Sequence, residues 1–143
     1  MINNSGDNVD EAPLRRCAEV ICADECLHSR CEINLMICTD ADMKEFNRLY
    51  RGDNSLTDVL TFSSADDLSS LISSGVQPFP CDIIIDINQL DRQKGLNNME
   101  DELMDVFIHG LLHAFGYDHI RRQDSNLMKD KEIKYKQIMD GIN

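Results

Sequence analysis

The chain has 143 residues, 42% of them hydrophobic, with 14 basic and 26 acidic side chains giving a formal net charge of −12. That length suits one domain spanning 1–143 with a core of its own; no apolar run reaches the roughly 20 residues that cross a bilayer, and the polar N-terminus lacks the features of a signal peptide. A cytoplasmic protein without membrane contact is expected, its six cysteines reduced, and its acidity disfavours unassisted binding of a polyanion.

Residues 1–12 are polar and are expected to be mobile, and Pro13 is placed to open a helix. Leu14 to Leu27 reads as an amphipathic helix. Cys17, Cys22, Cys26 and Cys31 lack the tight C-x2-C pair of a structural zinc site. Cys17 instead falls in with Leu14, Ala18 and Ile21 as a small apolar residue. His28 stands apart as a surface or core residue. Cys31 to Cys38 alternates polar and apolar side chains, which predicts a half-buried strand. Thr39 or Asp40 caps a helix over Asp42 to Tyr50, where Met43, Phe46, Leu49 and Tyr50 recur at helical spacing. Arg51 to Ser55 forms a turn, and Leu56 to Phe62, β-branched and aromatic, a strand. Ser63 to Pro80 holds six serines, two prolines and a glycine and reads as a long excursion. Cys81 to Ile87 resumes the sheet, with Ile83 to Ile85 buried on both faces. After a polar link containing Gly95, Asn98 caps a helix beginning near Met99, with Glu100, Asp101 and Glu102 at its positive end. Leu103, Met104, Val106, Phe107, Ile108, Leu111, Leu112 and Phe115 surround that helix and make it the central buried one. A last helix covers Ser125 to Asp140. The fold class that follows is α+β, a small mixed sheet packed with helices.

The buried helix carries the chemistry. Three of the chain's four histidines fall between His109 and His119. Residues four apart share a helix face, so His109 and His113 can address one ion. Gly116 can take the left-handed conformation that ends a helix, and lets the chain turn back to present His119. Three imidazoles in H-x3-H-x5-H spacing with one open position describe a catalytic rather than a structural zinc site. A zinc ion so held lowers the pKa of water to about 7 and polarises a carbonyl or phosphoryl oxygen, so hydrolysis is the expected chemistry. The long zincin pattern places a general-base glutamate where this chain has Gly110. A peptidase loses its proton carrier there, whereas phosphodiester cleavage leans more on stabilising charge on the phosphoryl oxygens.

His109-Gly110-Leu111-Leu112-His113-Ala114-Phe115-Gly116-Tyr117-Asp118-His119 closely resembles the signature of the YbeY family, bacterial zinc-dependent endoribonucleases of ribosomal RNA maturation and ribosome quality control. Leu49-Tyr50-Arg51 with Thr57 to Phe62, and Asp82 to Ile85, agree with the same family, so the resemblance spans about residues 31–140. Cys81, Ser63-Ser64 and Ala114 depart from its usual residues. The resemblance implies one Zn2+ on His109, His113 and His119, and an RNA-facing Arg51. It also implies single-strand cleavage late in ribosomal RNA maturation, at the 16S 3′ end. Ribosomal RNA and the small ribosomal subunit or its proteins follow as partners, and no organic cofactor is expected. Arg51 can grip a phosphate through two parallel hydrogen bonds. Asp118 can orient a ligand imidazole or a water, or can stabilise the turn. The C-terminal residues 119–143, with six basic against four acidic side chains, are less acidic than the rest and suit the approach of a phosphate-bearing substrate. A zincin-like metallopeptidase and a zinc-stabilised ribosome assembly factor with little catalysis are the alternatives.

Overall fold

The structure is a computed structural model that describes residues 1–26, 31–52, 56–63, 79–117 and 122–141. His28, Asp118, His119 and most of the Ser63–Pro80 excursion lie outside the described residues. The elements run β1 (Ile2–Asn3), α1 (Glu11–Cys26), β2 (Cys31–Cys38), α2 (Asp40–Arg51), β3 (Val59–Ser63), β4 (Phe79–Asp86), α3 (Ile87–Gln93), α4 (Met99–Ala114) and α5 (Arg122–Asp140).

The four strands form one mixed sheet in the order β1-β2-β4-β3. β2 runs parallel to β1 and β4, with Leu35 opposite Ile83 and Met36 opposite Ile84, and β3 pairs antiparallel to β4, with Thr61 opposite Ile83. The two-residue alternation of a strand sorts the side chains by face. Leu35, Ile37, Ile83 and Ile85 join Leu14, Cys17 and Ile21 of α1, the apolar residues of α4, and Met128, Tyr135 and Met139 of α5 in the main core. Met43 of α2 buries the opposite face with Cys38, Leu60 and Ile84. Ile83 to Ile85 are therefore covered from both sides, as the unbroken apolar run predicts.

Several elements differ from their sequence expectations. Of residues 1–12, read from the sequence as a mobile arm, Ile2–Asn3 forms the edge strand β1, too short for any periodicity to reveal. α1 begins ahead of Pro13, where Asp10 Oδ1 accepts from Ala12 N at 3.1 Å. Ile87, expected as the last residue of the strand, instead opens α3, whose remaining residues fall in the stretch expected to be a polar link. That helix has seven residues, with only Ile87 and Leu90 buried, too few to print a helical period. Asp86 caps it, Oδ1 accepting from Asn88 N at 3.0 Å. Arg92 of α3 holds Asp40 at the start of α2 through two hydrogen bonds of 2.8 and 2.7 Å, and Asn88 Oδ1 accepts from Asp40 N. α2 and α3 are thereby tied at the end of the sheet where both helices begin.

Candidate metal centre

α4 is the element on which the site is built. Asn98 caps it, its side chain accepting from Asp101 N at 2.8 Å, and three acidic residues occupy its first turn. From Leu103 to Ala114 nearly every side chain is buried, so the helix is fixed in rotation by the sheet on one side and by α1 and α5 on the others.

Two of the predicted ligands come together. The imidazoles of His109 and His113 lie with ring centroids 4.7 Å apart, at an interplanar angle of 75°. His109 Nδ1 stands 2.8 Å from Oε1 of Glu132 on α5. A carboxylate partner assigns the proton to Nδ1 and makes Nε2 the nitrogen that would meet an ion. The His109 and Glu132 side chains are 32% and 30% exposed, which puts the pair at the solvent boundary. Donor type and spacing fit a zinc ion, and the carboxylate behind His109 is the partner that metal-bound histidines usually carry. Among the described residues no group of three or more His, Cys, Asp or Glu could hold a metal ion, and His119 lies outside them.

The chain leaves α4 through the turn expected at Gly116. That residue has φ of +95°, the Gly116 N–H donates to His113 O at 3.0 Å, and the Tyr117 N–H donates to Leu112 O at 3.1 Å. These two bonds are the Schellman arrangement, which satisfies the last carbonyls and reverses the chain direction. Tyr117 OH then donates to Glu25 Oε2 on α1 at 2.7 Å.

Gly110 faces the sheet. A Cβ at this position would stand 2.9 Å from Val59 Cγ2, 3.3 Å from Ile83 Cγ2 and 3.4 Å from Thr61 Oγ1. Thr61 Oγ1 also donates to Gly110 O at 3.1 Å. A larger side chain at this position would press on Val59 and Thr61 of β3 and on Ile83 of β4.

Arg51 is the exposed last residue of α2, a helix that covers the other face of the sheet, and Gly52, with φ of 66°, ends that helix behind it. Asp118 lies outside the described residues. Glu132 is not among the residues that the histidine spacing points to. Met128, Tyr135 and Met139 mark the buried stripe of α5 at helical spacing, and Glu132 occupies the missing position of that stripe. A carboxylate on an otherwise apolar helix face was the signal that could have found it.

Fold and site together define a small α+β protein whose buried central helix ends in a braced histidine pair. A family model described as Endoribonuclease YbeY matches residues 1–140. The chain belongs to this YbeY endoribonuclease family. It is 39% identical over 128 residues to the Endoribonuclease YbeY of Leptospira interrogans, covering 80% of this chain and 91% of that protein. It is 33% identical over 128 residues to that of Chloroflexus aggregans, covering 87% and 84%. Its fold is similar to the solution structure of TM1509 from Thermotoga maritima, with a TM-score of 0.62 and 27% identity over 99% of this chain and 90% of that one.

Proposed function

We propose that this endoribonuclease is zinc-dependent and cleaves single-stranded segments of ribosomal RNA late in maturation, with His109, His113 and His119 as the metal ligands. The observation that carries the proposal is the His109–His113 pair, with Glu132 behind His109. When bound, the ion supplies a Lewis acid that activates water and stabilises charge on a phosphoryl oxygen. The protein's own part is to hold the imidazoles in one tautomer and orientation. Glu132 does this for His109, and the turn at Gly116 ends the helix three residues before His119. Arg51 is proposed to hold a substrate phosphate, and Asp118 to orient a ligand or a water beside His119. The family assignment favours RNA as substrate, and the lack of a carboxylate at position 110, where Gly110 stands, disfavours peptide hydrolysis. With a net charge of −12, the protein is expected to meet its RNA on the small ribosomal subunit rather than capture it alone. The least acidic part of the sequence, residues 119–143, includes the helix that carries Glu132.

Metal analysis of the purified protein, combined with a cleavage assay on structured and single-stranded ribosomal RNA, tests the proposal. One zinc per chain and cleavage confined to single strands are expected, both abolished by His113→Ala. Unchanged cleavage by a metal-free His113→Ala variant would overturn it.

A further inference from the structure

Asp24 and Glu25 stand in the last turn of α1, which contains no basic residue. Carboxylates at a helix C-terminus face the negative end of the dipole, so their placement costs α1 some of its own stability. The compensation lies in other elements. Glu25, its side chain only 10% exposed, accepts from Tyr117 OH at 2.7 Å, from Tyr135 OH, and from Lys131 Nζ at 2.9 Å. Asp24 accepts from Lys134 Nζ at 2.7 Å, and its Oδ2 stands 2.5 Å from Tyr135 OH, whose single proton is shared between the two carboxylates. Three donors from two separate parts of the chain thus converge on one carboxylate. Polar contacts that link α1, α5 and the residue after α4 favour one arrangement of the three, whatever they add to stability.

The two ends of this network are informative. Tyr117 is the residue that leaves the Gly116 turn, directly after the helix bearing His109 and His113. Lys131 and Tyr135 flank Glu132, which meets His109. We infer that Glu25 is a positioning residue of the metal centre: by holding Tyr117 and α5 to α1 together, it sets the histidine pair of α4 against Glu132. The inference rests on reading His109 and His113 as metal ligands. Glu25 lies behind the site and is not itself placed on an ion or a substrate.

The test compares zinc affinity, measured by competition with a chromophoric chelator, with the Tm of the metal-free protein. Tyr117→Phe deletes one hydroxyl, and Glu25→Gln keeps the shape but loses the charge. Each is expected to weaken zinc binding by more than about twofold but by less than the roughly tenfold or more that loss of a ligand's direct partner costs. Met43→Ala, which opens the cluster on the far sheet face, is expected to lower the metal-free Tm and leave zinc affinity within about twofold of the parent. If Tyr117→Phe and Glu25→Gln both keep the parent's affinity while His113→Ala abolishes stoichiometric zinc, the positioning role is wrong and the site stands. If Met43→Ala weakens zinc binding as much as Tyr117→Phe does, the effect is general destabilisation and the inference falls. Failure of the parent protein to take up stoichiometric zinc would remove both the site and the inference.

Discussion

Gly110 and Val59 are in contact so close that a Cβ on the glycine would stand 2.9 Å from Val59 Cγ2. Helix propensity favours Gly110→Ala by about 1 kcal/mol, and overpacking opposes it by about 1–3 kcal/mol. The clash should prevail because Val59 and Ile83 are β-branched strand residues with little rotamer freedom. Gly110→Ala should therefore lose roughly 1 kcal/mol in urea unfolding. Val59→Ala should relieve part of that loss, giving a coupling energy above about 0.5 kcal/mol in a double-mutant cycle. Strict additivity would show that the contact is not the cause.

Glu132→Gln keeps a hydrogen-bond acceptor beside His109 but removes the charge, and Glu132→Ala removes both. Zinc affinity should fall in the order Glu132, Gln, Ala, by about 10–100-fold in total. Chelator competition measures it, and equal affinity for all three would rule out a bracing role.

Gly116 has φ of +95°, a conformation L side chains rarely adopt, with open space where a Cβ would sit. Gly116→Ala should therefore cost about 1–2 kcal/mol through backbone strain alone. Thermal unfolding of the metal-free protein tests this, and a variant as stable as the parent would show that the turn can re-form without the left-handed residue.

Asp86 is fully buried, and burial followed by the neighbouring Asp40 carboxylate pushes its pKa up to about 7, whereas the Arg92 guanidinium holds Asp40 well below the usual carboxylate range. A carboxyl group with a raised folded pKa binds its proton more tightly in the native state. Its contribution to stability is therefore complete below the unfolded value of 3.8 and is lost as pH rises towards 7. Asp86→Asn keeps an acceptor for Asn88 N and abolishes the titration. The variant should be more stable than the parent by about 1–3 kcal/mol at pH 8, with the advantage gone near pH 4. Denaturant unfolding at the two pH values reads the difference directly, and a pH-independent difference would refute the assignment.

Much of the fold is legible in the sequence. The apolar residues Leu103, Met104, Phe107, Leu111 and Leu112 mark α4 as the central buried helix, Asn98 marks its start, and Gly116 marks its end. The unbroken Ile83–Ile85 run marks the strand covered on both faces. In the site, the spacing of His109 and His113 sufficed to bring them together. β1 and α3 escaped because two and seven residues are too few to show a period. The boundary of β4 was misplaced because Ile87 is as apolar as the strand before it, and the cap on Asp86 is what ends the run.

The sequence by itself determined which helix face is buried and which residues share it, since those follow from backbone period and local capping. It could not say what that face is buried against. Glu132 reaches His109 across 23 residues and Glu25 reaches Tyr117 across 92, and both meetings depend on how α1, α4 and α5 pack. Gly110 likewise looks like a lost catalytic glutamate in one dimension, and only the sheet beneath it shows a position where a larger side chain would press on β3 and β4. Periodicity is a property of one segment, whereas a hydrogen bond or a steric limit between segments exists only after their packing has brought the two surfaces together.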